Sequence, residues 1–265
     1  MAYNKMTTSS KTFSLTFGDV AENHKGMQKI GTLSNSGFNL SDLTQMKTWF
    51  EAKGCKCNII NLHWLLDEEL QSDNAAYILT IKNAVNALLD DENGANKLFA
   101  EQDALEKDTK AFMYGRVVNK HARHNLCFGE QHQEPNYEEG MGTVYAFDEV
   151  PLLKRIRCGL GEICGEKGAN LQAEGNYYYD VSKCGIGFHG DTERKKVIAF
   201  RLGAKIPLCY AWYHNNENIS EVITIDTLEH GDMYVMSEKT TGFDWKSKSK
   251  YTLRHAAGCD KYTKV

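Results

Sequence analysis

The sequence predicts an α+β protein, with a helix-rich N-terminal region at residues 1–109 and a β-rich core at residues 110–265. Two pattern observations lead there. Apolar residues at helical spacing dominate the first region, and short β-prone runs separated by Gly, Asn and Asp clusters dominate the second. A third is composition: 42% hydrophobic and 25% charged residues over 265 positions are those of a globular chain able to bury a core.

The elements follow in order. "SDLTQMKTWFEAK" (41–53) has a Ser cap, apolar residues at helical spacing and a closing Gly54, so it predicts a helix. "CNIINLHWLL" reads as a buried strand or a short helix. Residues 74–107 predict two helices split near Gly94. Beyond Lys110, "GTVYAF", "NYYYDV", "KVIAFRLG", "IPLCYAWYH", "SEVITIDTL", "DMYVMSE" and "KYTLRHA" predict antiparallel strands of a sandwich or barrel, with one helix at 149–167 among them. "FGDVAENHKGMQKIG", rich in polar residues and glycine, is either a substrate-recognition element or packing against the core.

The formal net charge of -4 argues against a surface that coats nucleic acid, although positive charge bunches at 115–124, 152–157 and 193–196. The first residues lack a signal-peptide pattern, and no apolar run approaches the ~20 residues needed to span a bilayer. The expectation is an intracellular protein, cytoplasmic or nuclear, with no membrane partner. The eight cysteines are scattered through a chain too large to need staples and read as free thiols. "GCKCN" has no second pair nearby to complete a zinc site.

The tripeptide His-Gly-Asp occurs twice, in "FHGDTE" (188–193) and "EHGDMY" (229–234). In an extended strand, residues two apart face the same way, so His-x-Asp delivers an imidazole and a carboxylate to one point. Two His and one carboxylate on one face of an octahedron leave three open positions, the arrangement of non-haem Fe(II) oxygenases. His255, ending a β-prone run, is the candidate third ligand beside His189 and Asp191. In the second copy, Gly231-Asp232 precedes a run of strand formers and reads as a turn, so His230 and Asp232 are expected to be structural.

"GNYYYDVSKCGIGFHGDTERKKVIAFRLG", then "LEHGDMYVMSE" and a late His, resembles the catalytic core of the AlkB-like family of Fe(II)/2-oxoglutarate-dependent dioxygenases. "YGRVVNKHARHNLCFGE" resembles that family's first lid. The likeness runs from about Lys110 to Val265. It implies a double-stranded β-helix, or jelly-roll, with Fe(II) held by His189, Asp191 and His255 at its open end and 2-oxoglutarate as cosubstrate. It also implies that Asn176 and Tyr178 contact 2-oxoglutarate, with Tyr177 or Tyr179 in that place if the loop differs by one residue.

The chain departs from the family after His255, where only "AAGCDKYTKV" follows. The far carboxylate of 2-oxoglutarate then falls either to Lys264, or to Arg254 in an alignment that leaves Asp244 as the third ligand. The implied reaction is hydroxylation or oxidative demethylation, most readily of a modified nucleic-acid base, with Arg116, Lys120, Arg123 and His124 in a basic lid placed to contact substrate. A protein or small-molecule hydroxylase, or a catalytically silent binding module, remains open on the same fold. Neither the role of residues 1–109 nor the oligomeric state follows from the sequence.

Overall fold

The computed structural model describes residues 10–265. Seventeen strands and six α-helices are arranged as a helical layer over a large sheet, with a smaller sheet on the other side. The strands are β1 (Thr12–Gly18), β2 (Val20–Glu22), β3 (Lys29–Gly31), β4 (Cys57–Asn61), β5 (Tyr77–Ile81), β6 (Lys110–Met113), β7 (Arg116–Asn119), β8 (His124–Gly129), β9 (Val144–Ala146), β10 (Gln172–Tyr178), β11 (Gly185–His189), β12 (Val197–Gly203), β13 (Leu208–His214), β14 (Glu217–Asn218), β15 (Ile223–Ile225), β16 (Met233–Met236) and β17 (Thr252–Gly258). The helices are α1 (Leu40–Ala52), α2 (Glu68–Gln71), α3 (Ala84–Leu89), α4 (Gly94–Ala104), α5 (Pro151–Cys164) and α6 (Asp260–Thr263).

The large sheet runs β4-β5-β16-β12-β1-β10-β8-β9, antiparallel throughout except for the β8–β9 pair. The small sheet runs β11-β17-β13-β14, with β15 also on β13. The two sheets remain separate ladders and do not close on each other. Strand β1 shows how the layers are built. In "TFSLTFG", Phe13, Leu15 and Phe17 point into the core shared with α1, α3, α4 and α5, while Thr12, Ser14 and Thr16 take the opposite face. Its neighbour β12 alternates likewise. Ile198, Phe200 and Leu202 face the helices, whereas Val197 and Ala199 meet Leu208, Tyr210, Trp212 and Leu253 of the small sheet.

Two helix starts are locally specified. Asn39, rather than Ser41, caps α1: its side chain accepts from Asp42 N at 3.1 Å, and Asp42 accepts from Asn39 N at 2.7 Å. For α5, Pro151 opens the helix and Glu101 of α4 accepts from Leu152 N and Leu153 N at 2.8 and 3.1 Å, so orphan amides are satisfied from a neighbouring element.

Three expectations change. Tyr77–Ile81 is a strand, not the start of a helix, because Tyr-Ile-Leu-Thr-Ile is paired on both sides, by β4 and β16. Helix begins only at Ala84. Residues 12–18, within the segment expected to be helix-rich, form a central strand between β10 and β12. The sheet therefore runs across the boundary expected at 109/110, since β1, β4 and β5 lie in it beside β8, β10, β12 and β16. The cysteines are all free thiols, and among the described residues no helix is long and apolar enough to cross a membrane.

Candidate metal centre

Strands β11 and β17 are antiparallel neighbours whose register sets His189 directly opposite His255, after an irregularity between Ile186 and His189. The ring centroids are 4.4 Å apart. Just beyond β11, Asp191 places Oδ1 3.6 Å from His189 Nε2 and 3.7 Å from His255 Nε2. One donor atom from each residue lies within 4.8 Å of the others, so the three form a group able to hold a metal ion. Donors sharing one ion through bonds of about 2.1 Å stand roughly 3–4 Å apart. His189 Nδ1 is 2.8 Å from Gly187 O, an arrangement that protonates Nδ1 and frees Nε2 as a ligand. His255 Nδ1 and the hydroxyl of its strand partner Tyr210 are buried with no partner among the described residues.

The glycine between the first His and Asp is a packing requirement. A Cβ on Gly190 would lie 2.1 Å from Gly242 O, and Asp191 N donates to Thr241 O at 2.9 Å, so the ligand loop is laid flat on residues 241–242. In the second His-Gly-Asp, Gly231 instead takes φ 86°, a turn conformation. There Asp232 accepts from Asn83 N at 2.8 Å and Lys82 Nζ at 2.5 Å, and His230 Nδ1 accepts from Gly203 N at 2.8 Å. Both residues are structural, as expected.

The electrostatics of the trio are set by burial, which disfavours the charged form of each of its three groups. Burial depresses His189 to about 4 and holds His255 well below the usual imidazole range, so both rings are neutral. Burial, followed by the nearby Glu193 carboxylate, raises Asp191 well above the usual carboxylate range. A divalent cation among the donors favours the ionised carboxylate and accepts both neutral imidazoles, so the donor set fits a metal.

The trio opens on a cavity of about 580 Å³ between the two sheets. Its wall on the large sheet is polar, in register, across four neighbouring strands: Asn125 on β8 faces Asn176 on β10, which faces Ser14 on β1, which faces Arg201 on β12. Asn176 Oδ1 accepts from Arg123 Nε at 2.6 Å and Asn125 Nδ2 at 2.8 Å. Arg201 is 3% exposed, and none of its three guanidinium nitrogens has a hydrogen-bond partner among the described residues. Its guanidinium lies 5.4 Å from the centre of the Tyr234 ring. A buried guanidinium without an anion is costly, and this one lines the cavity. The mouth is formed by the β2–β3 connection, including His24 and Lys25, and by Trp245 and Lys246; Lys25 Nζ lies 5.7 Å above the Trp245 ring.

The expected residues divide accordingly. Asn176, Tyr178 and Arg123 line the cavity. Arg254 does not, because it immediately precedes His255 on β17 and adjacent strand residues face opposite ways. Its guanidinium is stacked 4.1 Å from Tyr213 and 5.1 Å from Trp245, and Nη2 donates to Asn216 Oδ1 at 2.9 Å. Lys264 is exposed beside Asp260 at 3.3 Å, and Asp244 pairs with Lys239 at 2.9 Å, away from the trio. Arg116 is exposed in the β6–β7 hairpin. Lys120 is half-buried, donates to Asn23 Oδ1 at 2.6 Å and is pushed down to about 7 by burial. His124 stacks on Tyr179 at 4.8 Å. Tyr177 packs on Phe13, and Tyr179 donates to His121 O at 2.6 Å.

Sequence reasoning missed Arg201, Arg194 and Trp245, whereas the polar segment "FGDVAENHKGMQKIG", expected either to recognise substrate or to pack on the core, supplies the lining residues 22–27 and Lys29. Arg201 had a legible signal: a lone cation within the apolar strand "VIAFRLG" must face either an anion or a ligand.

No family model matches the chain. It is 49% identical over 260 residues to the uncharacterized protein R156 of Acanthamoeba polyphaga mimivirus, a match covering 98% of this chain and 100% of that protein. The chain belongs to the same family as R156.

Proposed function

We propose that the protein is an Fe(II)- and 2-oxoglutarate-dependent dioxygenase on a double-stranded β-helix. The observation that carries this reading is the His189–Asp191–His255 group sharing one cavity with the unpartnered, buried guanidinium of Arg201. The order of strands supports the fold: from β10 to β17 the chain passes repeatedly between the two facing sheets, and β1 fills the place between β10 and β12.

When bound, Fe(II) and 2-oxoglutarate supply an oxidation in which dioxygen converts a substrate C–H to C–OH while 2-oxoglutarate becomes succinate and CO₂. This chain's residues do the rest. His189, Asp191 and His255 hold the ion and leave part of its coordination sphere open. Arg201 pairs with the far carboxylate of the cosubstrate, in the role first assigned to Arg254 or Lys264, and Ser14 and Asn176 beside it supply polar contacts. Tyr178, buried in the same wall, limits water.

For substrate, we favour a modified nucleic-acid base, because cations gather at the mouth: Lys25, Lys29, Arg123 and Lys246 against Glu22. The test is succinate release dependent on Fe(II) and 2-oxoglutarate, with His189→Ala as control, alongside binding of a single-stranded oligonucleotide at increasing salt. Release by wild type alone, with salt-sensitive binding, supports the reading. Release without oligonucleotide affinity points to a protein or small-molecule hydroxylase. Wild type and variant equally inert, with iron shown to be absent from both, removes the enzyme reading.

A further inference from the structure

We infer that Arg194 is a positioning residue for the metal centre, turning the Asp191 carboxylate so that a single oxygen, Oδ1, is offered to the ion. The inference rests on the metal-binding reading above. Its starting point is the opposed direction of the two Asp191 oxygens. Oδ1 faces Nε2 of both imidazoles at 3.6 and 3.7 Å, whereas Oδ2 lies 3.8 Å from Arg194 Nε. That last separation is an electrostatic contact rather than a hydrogen bond, yet between buried groups it is strong enough to fix which oxygen turns away.

Arg194 can act this way because it is itself immobilised. Its side chain is 3% exposed, and Nη2 is held by Glu174 at 2.5 Å and by Glu193 at 2.8 Å. Glu174 is in turn fixed on β10, where it accepts from Glu22 N at 3.1 Å and from Asn176 Nδ2 at 3.1 Å. The position of the guanidinium is thus set by the large sheet, while the carboxylate it faces belongs to the ligand loop. β1 is shaped to admit it: a Cβ on Gly18 would meet Lys196 O at 2.6 Å and Arg194 Cδ at 3.3 Å.

A purely structural ion pair does not account for two features. Arg194 Nη1 is buried with no partner among the described residues, so the donors are not all used to hold the fold together. Nε also donates to Glu193 Oε1 at 3.1 Å while facing Asp191 Oδ2 at 3.8 Å, so one guanidinium is set against three carboxylates at once, which the single point charge of a lysine cannot reproduce. Groups that orient metal ligands typically contribute roughly 10–100-fold to metal affinity.

The experiment uses Co(II) alone as the probe, since its visible absorption reports ligand number without oxygen chemistry. Wild type, Arg194→Lys, Arg194→Met and His189→Ala are titrated at neutral pH. The expected result is a roughly 10–100-fold weaker Co(II) affinity for Arg194→Met, with a weaker visible band as the freed carboxylate binds through both oxygens. Arg194→Lys is expected to lie between the two in affinity and band shape. Should Arg194→Met fail to fold for want of a partner for Glu174, the double variant Arg194→Met/Glu174→Gln and Arg194→Lys carry the same test. Unchanged affinity and spectrum in the folded Arg194 variants, with Co(II) binding lost in His189→Ala, overturns the positioning role. Co(II) retained by His189→Ala overturns the metal reading itself.

Discussion

His189 and His255 are direct cross-strand partners on β11 and β17, their rings 4.4 Å apart, although 66 positions separate them in the numbering (255 − 189). The pairing register therefore sets the geometry of the trio: a slip of one residue would send one imidazole to the other face of the small sheet. A metal that binds only the folded state stabilises it by about 2.7 kcal/mol at a hundred times its dissociation constant. Excess Co(II) is expected to raise the melting temperature of the wild type and to leave those of His189→Ala, Asp191→Ala and His255→Ala unchanged. A shift persisting in all three would show that the ion binds elsewhere.

Acid should weaken the metal-free protein through the same rings. His189 is depressed to about 4 in the folded state, and His255 is depressed as well, so their contribution is present above the unfolded imidazole value of about 6.5 and is lost as pH falls towards 4. His189 alone accounts for on the order of 3 kcal/mol at most. Asp191, raised by burial, has the opposite sign: its contribution is present below the unfolded carboxylate value of about 3.9 and lost as pH rises through its folded value. Denaturant midpoints measured between pH 6.5 and 4 should fall in the wild type and fall less in His189→Phe. Equal slopes would refute the assignment.

Arg201→Met separates binding from stability. Losing one partner of a buried charged pair costs about 2–5 kcal/mol, so the dissociation constant of 2-oxoglutarate should rise by more than tenfold. The cosubstrate-free variant should be as stable as the wild type or more so, because an unpaired buried cation has been removed. Arg254→Met should do the reverse, leaving 2-oxoglutarate untouched and losing about 1 kcal/mol of stacking on Tyr213 and Trp245. Calorimetry with the cosubstrate and thermal melts read both effects.

The two His-Gly-Asp glycines predict different failures. Gly190→Ala forces a Cβ towards Gly242 O, 2.1 Å from its ideal position, and should displace Asp191, abolishing Co(II) binding. Gly231→Ala imposes a side chain at φ 86° and 3.0 Å from Ala95 Cβ, so it should lower the melting temperature while sparing the metal site. Metal binding retained by Gly190→Ala would show that the ligand loop can relax.

Much of the small sheet was legible because its strands are runs of apolar and aromatic residues bounded by turn formers, and His189, Asp191 and His255 were legible as residue types with the right local spacing. What the sequence withheld was which faces meet. Arg254 and His255 are adjacent in the chain, and only the inward orientation of His255 assigns the arginine to the outer face. Lys120 and His124 looked like a basic surface, yet one donates to Asn23 and the other stacks on Tyr179. Strand β1 was hidden because its alternating Thr-Phe-Ser-Leu-Thr-Phe pattern acquires meaning only between two strands far along the chain, and local propensity carries no information about distant pairing.

The place of β1 also bears on how the molecule is made. Its hydrogen-bonding edges have no strand to join until residues 172–178 and 197–203 have been synthesised, so an early, alternating apolar segment waits exposed while most of the polypeptide emerges. Such late, distant pairing favours slow assembly and makes nascent or truncated chains prone to self-association, so the cavity between the sheets, lined by Ser14, is expected to be among the last parts of the molecule to take shape.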